Sequence, residues 1–160
     1  MKVQRDLFKW NITRALDWLF EVQDEDNFGW SWIRDISPNS QNTAEVVNVC
    51  SQLSDYLDDN QKVLVSEAVE NWLLEPSING AIVIDYVWIM YSLIHFSEKY
   101  DEFNPSFAIE KVYLAAKECA DLIIELQNED GGWGDNYGEP STSTRTALVI
   151  YCLKSYTMRL

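Results

Sequence analysis

The chain has 160 residues, with 26 acidic against 12 basic side chains and a net charge of −14. That balance sets it against phosphate backbones and anionic lipid surfaces, so nucleic acid is excluded as an expected partner. With 47% hydrophobic and 13% aromatic residues, it can bury the core of one domain (1–160) without disulfides or metals, and it is too apolar to stay disordered.

Met1, Lys2 and Arg5 are not followed by an apolar run and a cleavage site, so no secretory signal is expected. The longest apolar stretch, Ala81 to Phe96, carries Asp85, Ser92 and His95 and is only 16 residues long. That is short for a membrane span, and a cytoplasmic chain is the expectation. Cys50, Cys119 and Cys152 lie far apart in apolar periodic stretches, without the paired spacings of zinc sites or disulfide frameworks. They read as small buried hydrophobes, and no cofactor or metal is expected.

In chain order, apolar residues at helical spacing predict helices over 5–23, 42–57, 62–74, 80–97, 106–127 and 143–157. The last long outer segment shows the pattern clearly in Ala108, Val112, Ala115, Cys119, Leu122 and Leu126. No two-residue alternation competes with it, and the fold class is all-α. Helix 80–97 is apolar almost all round, which predicts cover on most of its circumference.

The helices pair into repeats of about 5–57, 62–97 and 106–157. Val22 to Trp30 aligns with Leu126 to Trp133: Gln23 and Gln127 are 104 apart, as are Asp26 and Asp130. Trp30 and Trp133 are 103 apart, and so are Thr43 with Thr146 and Ala44 with Ala147. One inserted residue explains the change, so this is an internal repeat. The middle pair fits by Trp18 with Trp72, 54 apart, and Ala44 with Ala81, only 37 apart, as if its loop had lost 17 residues.

The order Gln127, three residues, Gly131-Gly132-Trp133-Gly134, followed by Ser141 to Leu148, resembles the QW repeat of squalene-hopene cyclases and protein prenyltransferase β-subunits. The first loop, with Gln23 and Gly29-Trp30-Ser31-Trp32, looks like a degenerate copy. The resemblance implies an α/α toroid of which three helix pairs make a half or part. It also implies a structural clamp formed by Gln127, Gly131, Gly132 and Trp133, and by Gln23, Gly29 and Trp30. Independently of any family, glycines allow positive φ and close approach at a sharp reversal. A Gln amide can satisfy free backbone groups at a helix end, and an indole adds burial while offering its N–H. Thr43 and Thr146, or residues just before them, are expected to cap the following helices.

The family's catalytic residues are missing. Where the resemblance would place the cyclase DxDD acid stand Asn39, Ser40, Gln41 and Asn42, and the last repeat offers Ser141 to Arg145. Neutral amides and hydroxyls cannot protonate an alkene. The single His95 sits on the most apolar helix without zinc-ligand spacing, and reads as a core or helix-end residue. Loop carboxylates Asp24, Glu25, Asp26, Glu129, Asp130 and Asp135 lack EF-hand spacing and read as solvated charge. Phe28, Trp32 and Tyr137 are candidates for a groove taking an apolar or peptide ligand.

Three pairs leave two open ends, which something must cover: another protein, a second copy or the rest of a longer chain. The leading expectation is a non-catalytic interaction or scaffold module. The alternative is one half of an isoprenoid cyclase or prenyltransferase-like enzyme, completed by a partner. An apolar small ligand in a central cavity is the third reading.

Overall fold

The computed structural model describes residues 2–159, with side chains from Phe8 onward. Among them no strand occurs and the chain is all-α. Six long segments form, at α1 (Lys2–Glu21), α2 (Ser40–Gln52), α3 (Asp59–Trp72), α5 (Val83–Glu98), α7 (Ile109–Glu125) and α8 (Ser143–Arg159). Two single turns, α4 (Pro76–Asn79) and α6 (Tyr100–Phe103), and a 3₁₀ turn at Ser54–Tyr56 join them. No described helix is long and apolar enough to cross a membrane.

Local chemistry sets the ends. Asp58 accepts from the Gln61 N–H at 2.8 Å while the Gln61 side chain returns a bond to the Asp58 N–H at 3.1 Å, starting α3 with a reciprocal cap. Asp85 does similar work for α5, its carboxylate accepting from the N–H groups of Ala81 and Ile82. Helix α5 therefore begins at Val83 and not at 80, and the alignment of Ala81 with Ala44 is corrected: Ala81 lies outside the helix. The segment 54–57, expected to end α2, tightens into the 3₁₀ turn instead.

Helices α2, α5 and α8 form an inner row, with α5 packed between α2 and α8. On the other side α3 covers α2, and α7 covers α5 and touches α8. Helix α1 adds Leu16 to the core and is tied to α3 by Gln61 reaching Asp17. As its composition requires, α5 is covered on most of its surface, with Ile89, Met90, Leu93, Ile94 and Phe96 fully buried. Phe96 packs on Phe103 and Phe107, closing the α5 to α7 connection with rings 5.1 and 6.1 Å apart.

Candidate functional site

The two loops resembling each other in sequence share one hydrogen-bond frame. The Trp30 indole N–H donates to the Leu19 carbonyl at 2.7 Å, and Trp133 does the same to Ile123 at 2.7 Å. The backbone N–H of Trp30 donates to the Thr43 hydroxyl at 2.9 Å, as that of Trp133 does to Thr146 at 3.0 Å. The carbonyls of the same tryptophans accept from the N–H groups of Asn39 and Thr142. Gln23 donates to the Phe28 carbonyl at 2.6 Å and Gln127 to Gly131 at 2.8 Å. With the indoles only 2% and 5% exposed, each loop is a strap holding the end of one helix against the start of the next.

This frame narrows one expectation and corrects another. Of the two alternatives for the caps, the residues just before the threonines hold: Thr43 and Thr146 themselves lie one turn inside α2 and α8, where their hydroxyls face the tryptophan N–H groups. The caps are Asn39, accepting from the Asn42 N–H at 2.9 Å, and Thr142, accepting from the Arg145 N–H at 3.2 Å. Asp26 is not the counterpart of Asp130 either. Asn27 accepts from the Gly29 N–H as Asp130 does from Gly132, so the inserted residue lies before Asn27. The equal 103-residue spacings carried this information, but residue type pointed to capping instead.

Gly29 and Gly132 are required by close approach. A Cβ on Gly29 would stand 2.6 Å from the Trp72 indole, and one on Gly132 would stand 2.6 Å from Ser141. Among the described residues, the first strap also reaches the neighbouring helix α3. Gln23 also lies 3.4 Å from the Leu64 carbonyl, and the Trp72 indole donates to Asn27 at 3.0 Å, joining the strap to α3. Gln127 is exposed and bonds within its own loop.

The neutral residues at the start of α2 have structural tasks, Asn39 as cap and Gln41 bonded to Glu45 at 3.0 Å. Burial pushes the Cys50 and Cys152 thiols up to about 12 and raises Cys119 well above its ordinary value. Such thiols are poor nucleophiles and poor metal ligands. His95 is pushed below its ordinary value by burial, with Glu98 and Arg159 at its Nδ1. Among the described residues no three His, Cys, Asp or Glu side chains are grouped to hold a metal ion. Three of the loop carboxylates are engaged locally, Asp24 and Asp130 accepting turn N–H groups and Asp135 pairing with Arg145, while Glu25, Asp26 and Glu129 are exposed.

Phe28, Trp32 and Tyr137 do not line a common groove. Phe28 packs against the core, while Trp32 and Tyr137 border separate depressions one repeat apart. Trp32 is 80% exposed, at the rim of a cavity of about 310 Å³ with an apolar side of Trp18, Leu19, Val22 and Val46 and a polar side that includes Arg34, Gln41 and Glu45. In the strap frame its counterpart is Asp135, whose carbonyl accepts from the Val83 N–H at 3.0 Å and so seats the start of α5. The equivalent seat beside Trp32 is the open groove. Ile33, which also lines it, is more than half exposed. Sequence reasoning selected Trp32 by its aromatic type but could not see that its counterpart Asp135 seats a helix while Trp32 borders an open groove.

A comparison with protein-family profiles, curated proteins and solved structures finds no match.

Proposed function

We propose that this chain is a non-catalytic interaction module of the QW-repeat type, an arc of an α/α toroid that docks a partner's helix, from another protein or a second copy, at its open end. The observation carrying this reading is the contrast at equivalent positions: Asp135 seats α5, while Trp32 offers the same kind of seat beside Trp18, Leu19 and Ile33 with, among the described residues, no helix on it. An apolar cluster of that kind at the end of a repeat array is where a partner gains most by burial. The arc is supported by the inner row α2, α5, α8 backed by α3 and α7. A non-catalytic role is supported by the neutral Asn39, Gln41 and Asn42 and by the elevated thiol pKa values.

The test is photocrosslinking in the source cells, with a benzophenone amino acid replacing Ile33 in one strain and Tyr137 in another. A discrete protein adduct is expected from position 33 and none from 137. Folded, accumulated protein without an adduct at 33 would refute the reading.

A further inference from the structure

The inner helices meet through one contact used twice. The Ser92 hydroxyl, on the tenth residue of α5, donates to the carbonyl of Ala44, the fifth of α2. The Cys152 thiol, on the tenth residue of α8, donates at 3.4 Å to the carbonyl of Val87, the fifth of α5. The inner row therefore has a fixed register: a helix presents its tenth residue to the one before it and its fifth to the one after.

Burial follows that register and not residue type. Ala44 and Val87 are buried while Ala147, the fifth residue of α8, is exposed. Ser92 and Cys152 are buried while Val49, the tenth of α2, is 41% exposed. The same holds at the first, eighth and twelfth positions. Ser40, Val47 and Ser51 of α2 are buried, and so are Val83, Met90 and Ile94 of α5. Their counterparts Ser143, Ile150 and Lys154 of α8 are exposed. The chain thus carries at one end the face that fills a groove, and at the other end a groove of the same register.

We infer that the chain associates with itself head to tail, α8 of one copy lying against α2 and the Trp32 loop of the next, as α5 lies against α8 and the Asp135 loop. The inference rests on the docking reading above and names its partner. In this register Ala147 meets Val49, the Ser143 N–H reaches the Trp32 carbonyl, and Ile150 leaves water. Lys154 is the one charged residue on the face, and its stem is long enough to carry the ammonium to the rim. A second copy fits better than an unrelated helix because a single contact covers both uncovered ends. Such a contact is heterologous, so it repeats until the ring closes or a filament grows. Each copy carries −14, so added salt should strengthen the association by screening the repulsion.

Two readouts test it on the purified chain. Sedimentation equilibrium should give a mass above the monomer that rises with salt, and Trp32→Asp should weaken association about thirty-fold or more, as for a central interface tryptophan. Val49→Cys and Ala147→Cys, each on an exposed position, should form a disulfide-linked pair when the two preparations are mixed and oxidised. Neither should link to itself, and both should keep the wild-type helix content. A monomer at about 100 μM concentration, above the micromolar range of ordinary interfaces, or self-linking of Val49→Cys as fast as mixed linking, overturns the inference. The adduct at position 33 separates the two claims. Copy-to-copy adducts support both, an adduct to a different protein with a monomeric chain removes only the head-to-tail contact, and no adduct removes both.

Discussion

In the strap between α7 and α8 the two left-handed positions are glycines, Gly131 at φ +87° and Gly138 at φ +80°. In the strap between α1 and α2 the same two positions are Phe28 at φ +60° and Asp35 at φ +66°. A left-handed conformation costs a side-chain-bearing residue about 1–2 kcal/mol, yet the backbone course is kept. What holds it is common to both straps: a buried indole bonded to the preceding helix, a threonine hydroxyl under the tryptophan N–H, and a glutamine amide on the turn. The first strap also gains bonds from Trp72 and toward Leu64 that the last lacks, and Phe28 adds apolar burial where Gly131 adds none. Glycine is therefore the convenient residue at these turns, and the tryptophan frame is the necessary one.

The sharpest way to break this comparison is to remove the indoles. Trp30→Ala and Trp133→Ala should each cost about 3–5 kcal/mol in urea or thermal unfolding, the scale of a buried aromatic truncation. Because both indoles are buried, the two losses should agree within about 2 kcal/mol, the usual spread of such truncations. A loss below about 0.5 kcal/mol at either site, where exposed substitutions fall, would show that its strap is held by something else.

The threonines come next. Thr43→Val and Thr146→Val keep the shape but leave a tryptophan N–H without its acceptor, a loss of about 1–3 kcal/mol where water cannot reach. Thr43 is fully buried and Thr146 only partly so, and Thr43→Val should be the more damaging of the two. Equal losses measured by denaturant titration would mean that water serves neither site.

The smallest effect sharpens the glycine contrast. A Cβ on Gly131 would meet nothing within 4 Å, so Gly131→Ala isolates backbone strain and should destabilise by about 1–2 kcal/mol. An unchanged unfolding midpoint would mean that the last strap tolerates a side chain as freely as the first.

Much of the fold was legible along the chain because it is local. The helical period and the apolar girth of α5 are carried by neighbouring residues, and the matched loops are carried by a spacing of 103 that insertion and drift had not erased. Indole burial at Trp30 and Trp133 followed from the same match. Less visible was the division of labour inside each strap. Thr and Asn are both good helix caps, so residue type left Thr43 and the residues just before it as alternatives for the helix end, and the chain's path decides between them by bringing Thr43 under Trp30 and leaving Asn39 to cap.

The chain by itself determined where helices form and that the first and last pairs are copies, since backbone propensity and periodicity act over a few residues and survive in any environment. Tertiary structure alone decided which copies are complete. Val49 and Cys152 occupy the same position on their helices and differ in burial only because α5 precedes α8 while no described helix of the inner row precedes α2. Trp32 and Asp135 differ likewise: one carbonyl seats α5, and the other borders an open groove. Burial is a property of neighbours in space, and apolar residues suited to a covered face read the same in sequence whether the cover is present or not.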